Sequence, residues 1–258
     1  ALFLLLTGGA LPVWAQEPVE PEIGEVVVTA TRTADPVGAA TKSFTVITAE
    51  EIEAKQAQTV QEVLRTVPGL TLNQSGGLGT ITSTFLRGSN SNHTLFLIDG
   101  VPVNSPTGGA FDLADLTTDN VERIEIVRGP QSTLYGSAAM GGVVNIITRT
   151  GTRAPTHRVR FEAGKHSTFR ETLSSAGGGD RWDYAVAGSR LDSEGELDHD
   201  DYENTTLSGR VGWKPTPTTR LEFFSRFIDA DKNLPPVAGR SFDPDQNQKR
   251  EFLQVGTA

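Results

Sequence analysis

The densest concentration of chemically capable side chains in this 258-residue sequence is acidic. Asp192, Glu194, Glu196, Asp198, Asp200, Asp201 and Glu203 crowd one stretch, and Asp229, Asp231, Asp243 and Asp245 follow. Carboxylate oxygens at alternating spacing suit a hard cation such as calcium. The candidate ligands are Asp198, Asp200, Asp201, Asp229 and Asp231; the same run also reads as a solvated acidic loop. Other chemistries are poorly supplied. The sequence has no cysteine, so it offers no disulfide, thiolate metal site or cysteine nucleophile. Four histidines, scattered, give no ligand cluster for haem iron. The loop Ser75-Gly76-Gly77-Leu78-Gly79 lacks the Gly-Lys-Ser/Thr ending of a phosphate loop and does not run into a helix. With 32 acidic against 23 basic residues the net charge is −9, which disfavours a binder of phosphate backbones and hence of nucleic acid.

The elements that must carry these residues begin with a short apolar run, Ala1 to Leu11. It is far shorter than the roughly 20 residues a spanning helix needs. With small residues at Val13 and Ala15 it reads as the core and cleavage site of a secretory signal peptide over 1–15, cut after Ala15. Alanine at position 1 and a lone methionine, Met140, make the sequence read as a fragment. Residues 16–33 form an acidic, proline-bearing leader containing Glu25-Val26-Val27-Val28-Thr29-Ala30-Thr31-Arg32. Three consecutive valines beside threonines favour extended backbone. Such a tethered segment suits addition to another protein's sheet edge, or it is the first strand of the next domain.

Residues 34–150 read as one α+β domain with glycine-rich loops. Phe44 to Ile47 is a strand, and Thr48 with Glu51 makes a capping box. Ile52, Val60, Val63, Leu64 and Val67 then share one helical face up to Pro68-Gly69. Strands follow at 70–74, 81–87, 94–98, 101–103, 121–127 and 141–148, with a polar helical stretch ending at Asn120 and a helical turn from Gln131 to Tyr135. The uninterrupted apolar run Thr94 to Ile98 is expected of a strand buried on both faces, and Asp99-Gly100 supplies its turn.

The valine-rich box, Leu97-Ile98-Asp99-Gly100-Val101-Pro102-Val103-Asn104, and Ile124-Glu125-Ile126-Val127-Arg128-Gly129-Pro130 through Tyr135-Gly136 to Gly141–Thr148 resemble the plug of TonB-dependent outer-membrane receptors. The likeness runs in unbroken order over 25–150. Phe85-Leu86-Arg87-Gly88-Ser89-Asn90 and Asn92-His93 make it most similar to the vitamin B12 (cobalamin) receptors within that family. The resemblance implies an α+β plug followed by antiparallel strands of a transmembrane β-barrel of about 22 strands. Six segments of barrel-strand length do follow in residues 151–258: 158–164, 168–175, 181–191, 205–214, 219–228 and 250–256. Leu207, Val211 and Trp213 alternate with Ser208 and Arg210 as lipid-facing and inward residues should. Six strands cannot close around such a plug, so the sequence is expected to lack most of the barrel.

The resemblance also implies roles. Glu25, Val26, Val27, Val28, Thr29 and Ala30 would bind TonB, the partner that couples uptake to the inner-membrane proton gradient. Ser75, Gly76, Gly77, Leu78, Asn104, Ser105 and Asp112 would line the ligand site. Arg87 and Arg128 would hold the plug against barrel glutamates. Aspartates of the outer loops would bind a structural calcium, or would face lipopolysaccharide and its bridging cations. The expected protein is a monomeric outer-membrane importer of a scarce chelate, cobalamin or a ferric siderophore, with no cofactor and no catalysed reaction. A soluble exported binding protein built on the α+β domain is the reading from another class.

Overall fold

Apolar residues recur with two different patterns in this chain, and each builds its own sheet in the computed structural model, which describes residues 27–28, 35–36, 43–216, 218–235 and 246–257. The expected signal peptide over 1–15, the leader over 16–24, the box residues Glu25, Val26, Thr29 and Ala30, and Asp243 and Asp245 lie outside the described residues. Val27–Val28 (β1) is extended, as consecutive valines prefer, and pairs antiparallel with Asp35–Pro36 (β2).

Phe44–Thr48 (β3) runs into Ala49–Ala54 (α1) through the expected capping box: Thr48 accepts the Glu51 amide, and the Glu51 carboxylate takes the Thr48 N–H. The single helix expected up to Pro68 is broken. Gln56 takes a φ of +52°, and a second helix, Val60–Leu64 (α2), starts afresh. The cause is tertiary. The Val60 N–H donates to Leu116 O at 2.9 Å and the Thr118 N–H to Gln58 O at 3.1 Å, so chain–chain hydrogen bonds override the helical period. The same pairing keeps the stretch before Asn120 out of the helical form expected of it.

Leu70–Gln74 (β4) and Thr82–Leu86 (β5) form a hairpin. Thr94–Ile98 (β6), Val101–Pro102 (β7), Val121–Arg128 (β8) and, after the short helix Ser132–Tyr135 (α3), Gly142–Thr148 (β9) complete a mixed sheet in the order β3-β8-β9-β6-β7. All five residues of β6 are buried, as its apolar run requires. Asp99 and Gly100 turn the chain with φ of +50° and +80°.

The outer sheet is a simple antiparallel meander: Thr156–Ala163 (β10), Phe169–Gly178 (β11), Trp182–Ser193 (β12), Tyr202–Thr216 (β13), Thr219–Asn233 (β14) and Asn247–Thr257 (β15). Each expected strand is there, but β13 and β14 run further than expected. Glu203 pairs with Asp231 and Thr205 with Asp229, so these acids belong to the ladder rather than to loops. Alternation splits the faces. Leu173, Val186, Leu207, Val211, Phe223 and Leu253 are exposed on one side, while Arg170, Ser189, Arg226 and Gln254 are buried on the other. Trp182 and Trp213, opposite each other, lie at the end of the sheet that carries the short turn 179–181. The connections 164–168 and 194–201 lie at the other end. No helix among the described residues is long and apolar enough to cross a membrane; these strands are the elements with the pattern to do so. One apolar cluster runs from inner-domain residues such as Leu64, Phe96, Ile124 and Ile146 into Leu191, Tyr202, Ile228 and Ala230 of the outer sheet.

Candidate functional site

Period-two alternation points arginines from the outer sheet at the inner domain, and five of them find an oxygen there. Arg158 on β10 meets Glu53 at 2.6 Å, and Arg170 on β11 meets Asp119 at 2.7 Å. Arg210 on β13 meets Asp99 at 2.9 Å. The Arg250 guanidinium on β15 donates to Asp115 at 2.9 Å. Arg226 on β14 donates to the Asp119 carbonyl at 3.3 Å, and its Nε and Nη1 meet no acceptor among the described residues. Gln254 adds a bond to Ile98 O. Tyr202 donates to Asp115 at 2.9 Å and Asn204 to its carbonyl at 3.0 Å. The inner domain is thus seated by its own carboxylates on a row of cations.

Burial makes these contacts strong and conditional. Arg170 and Asp119 are almost wholly buried, where losing one partner strands a charge. Burial pushes the Asp119 carboxyl up, but the Arg170 charge and the hydrogen bond it donates outweigh that and hold Asp119 below the usual carboxylate range. Asp115 goes the other way: burial raises it despite Arg250. None of these seat residues was among the sequence candidates. The available signal was arginine at inward positions of alternating strands, whereas Asp99 read only as a turn residue.

The loop Ser75 to Gly79 lies at the end of the sheet that carries the longer connections. Gly77 O accepts from Gln74 Nε2 at 2.6 Å and from Thr80 Oγ1 at 2.8 Å, so the loop is shaped by its own neighbours. Gly79 has a φ of +74° and lies under the Tyr202 ring, where a Cβ would come within 2.2 Å of a ring carbon. Arg250 donates to the Gly79 carbonyl. Ser75, Gly76 and Gly77 are exposed and Leu78 is half-buried. The second candidate loop is held from within: Asn104 bonds Phe96 N, Thr94 O and Gly109 O, and Asp112 accepts from Thr82 N and Ala114 N. Ser105 is exposed and bonds Gly108 N. Ser75 to Leu78 and Ser105 therefore keep accessible surface, Asp112 is exposed while it also shapes the loop, and Asn104 is held within it.

The five candidate cation ligands do not converge. Asp200 is buried and faces Lys232, with Nζ to Oδ1 at 2.6 Å. Asp198 and Asp201 are exposed, and Asp201 takes a bond from Asn233. Asp229 and Asp231 fall at outward positions of β14, alternating with inward Ile228, Ala230 and Lys232. A strand cannot turn both parities to one point. Among the described residues no three acidic or histidine side chains could hold a metal ion. As they stand, these five described residues do not form a calcium cage.

Arg128 donates to Pro68 O, Ser43 Oγ and Thr45 Oγ1. Partial burial and the neighbouring Arg87 charge push its guanidinium down. Arg87 is exposed with a φ of +52°. The glutamates expected to hold these arginines are not among the described residues.

Residues 36–143 match the family described as TonB-dependent Receptor Plug Domain. The chain is 42% identical over 158 residues to the "Vitamin B12 transporter BtuB" of Vibrio vulnificus strain CMCP6, covering 60% of this chain and 26% of that protein. The ferripyoverdine receptor of the outer membrane of Pseudomonas aeruginosa superposes with a TM-score of 0.75 at 18% identity, over 92% of this chain and 34% of that one, a likeness of fold. The siderophore receptor PirA from Acinetobacter baumannii gives a TM-score of 0.58 at 26% identity, over 73% and 31%. The chain thus spans about a quarter of the curated relative's length and about a third of each structure's.

Proposed function

Because residues 36–143 are the plug domain of a TonB-dependent outer-membrane receptor, we propose that this chain belongs to an importer, not an enzyme, that brings cobalamin across the outer membrane. The observation that carries the importer reading is the seat: a plug held inside a lipid-facing strand wall by individually breakable ion pairs, with exposed loops at the end of the longer connections. The substrate reading rests on 42% identity to a vitamin B12 transporter. The likeness to a siderophore receptor at 26% supports the alternative cargo, a ferric chelate.

Ligand at Ser75 to Leu78 and Ser105 would shift the balance between plug states only through different affinity for them. Energy would enter at the box. Val27–Val28 is paired with Asp35–Pro36, so TonB would add its own strand by replacing that two-residue pairing, drawing on the inner-membrane proton gradient. Proline at Val27 removes a backbone donor from that strand. In cells lacking their own receptor, the intact receptor carrying Val27→Pro should bind labelled cyanocobalamin normally yet import none. Undiminished import would remove the box assignment. Import of a ferric siderophore, with no cyanocobalamin binding, would transfer the reading to the other cargo.

A further inference from the structure

The acidic stretch 192–203 has the composition that suits a divalent cation, yet the one loop carboxylate that turns inward is already neutralised by the chain itself. The Lys232 side chain is fully buried, and its Nζ lies 2.6 Å from both the Asp200 carbonyl oxygen and Asp200 Oδ1. The other carboxylate oxygen, Oδ2, accepts the Glu196 N–H at 3.1 Å, closing the loop on itself. Gly195 makes that closure possible: its φ is +75°, and a Cβ there would come within 2.3 Å of the Asp200 carbonyl oxygen. Asp200 also meets the plug, since a Cβ on Gly77 would lie 2.9 Å from Oδ2. Next in chain come Asp201, whose carbonyl accepts the Asn233 N–H at 3.0 Å, and Tyr202, whose ring covers Gly79. Outer loop, wall strand and plug loop therefore meet at one buried ion pair.

An ammonium with its donors on a carbonyl and a carboxylate does for this loop what a bound calcium does elsewhere: it gathers oxygens and cancels their charge. It differs in being covalently part of β14, so it cannot dissociate and needs no supply of metal. We propose that Lys232 is a built-in cation that positions the 194–201 loop over the plug loop at Gly77, making the order of this mouth independent of calcium. Lys232 is a positioning residue here, acting through Asp200.

The test is hydrogen exchange on the intact receptor in detergent, reading amides of 194–201 with millimolar calcium and with chelator. Unchanged protection in the wild-type protein is expected. Lys232→Met should lower protection of this loop by at least about tenfold in both buffers, with β12 and β13 amides unaffected. Wild-type protection that collapses on chelation would overturn the proposal, as would a Lys232→Met loop as protected as the wild type. Should the variant fail to fold, the wild-type comparison between calcium and chelator still decides.

Discussion

Asp119 shows how a single carboxylate can make the plug's seat both firm and releasable. It is buried against Arg170, and its carbonyl takes the one bond that the buried Arg226 guanidinium makes to a described acceptor. Arg170→Met should destabilise the seated plug by about 3–5 kcal/mol, because it strands a buried charge; thermal melting in detergent measures it. The double variant Arg170→Met with Asp119→Leu should recover much of that loss, since neither charge remains to be desolvated. The pH dependence follows from the sign of the shift. Asp119 is held below its unfolded value, so its contribution is complete above the usual carboxylate range and fades as pH falls through its folded value. Asp115, raised by burial, contributes oppositely: its protonation on acidification favours the seated state. Stability curves for wild type and Asp119→Asn should therefore converge below the usual carboxylate range. Parallel curves down to strongly acidic pH would contradict that account.

At the scale of elements, one glycine decides how closely plug loop and wall approach. Gly79 occupies left-handed backbone with Tyr202 ring carbons at 2.2 and 2.3 Å from any added Cβ, so Gly79→Ala carries both strain and overlap. It should cost about 1–3 kcal/mol and lift the loop from the wall. Tyr202→Ala in the same chain should relieve the overlap but not the backbone strain, leaving a partial defect by calorimetry. Full recovery would mean that the positive φ is unimportant. The ends of β13 and β14 matter for another reason. Ladder pairing through Glu203–Asp231 and Thr205–Asp229 fixes which aspartates face outward, and with them the charge presented at the wall's outer rim.

At the scale of the whole molecule, the plug's main apolar cluster does not stop at the plug: Leu191, Tyr202, Ile228 and Ala230 belong to it. Residues 16–150 expressed alone should be soluble and partly folded, since β3, β8, β9, β6 and β7 pair among themselves. The polypeptide should nonetheless be loose where the wall is missing, with weak near-ultraviolet dichroism. Residues 16–258 should aggregate or demand detergent, because Leu173, Leu207, Val211, Phe223 and Leu253 face outward and β10 and β15 present unpaired edges among the described strands. A monodisperse longer polypeptide without detergent, by gel filtration, would argue against the membrane reading of the outer sheet.

What sequence alone determined was whatever depends on neighbours along the chain. The capping box at Thr48, the buried run of β6, the Asp99-Gly100 turn and the inward–outward parity of the wall strands all follow from local spacing. The succession of motifs up to Gly141–Thr148 likewise carried the resemblance to the plug domain that residues 36–143 match. Tertiary structure decided everything that depends on which distant groups meet. It broke the helix after Ala54, because Leu116 and Thr118 compete for its backbone partners. It dispersed the aspartates that composition had grouped, since a strand's parity sends Asp229 and Asp231 outward while Lys232 turns inward to Asp200. It also assembled the seat, in which Asp99, Asp115 and Asp119 meet arginines 51 to 135 positions away. Charge complementarity at that separation leaves no periodic trace, because the energy lies in burial and geometry that exist only once the two sheets have met.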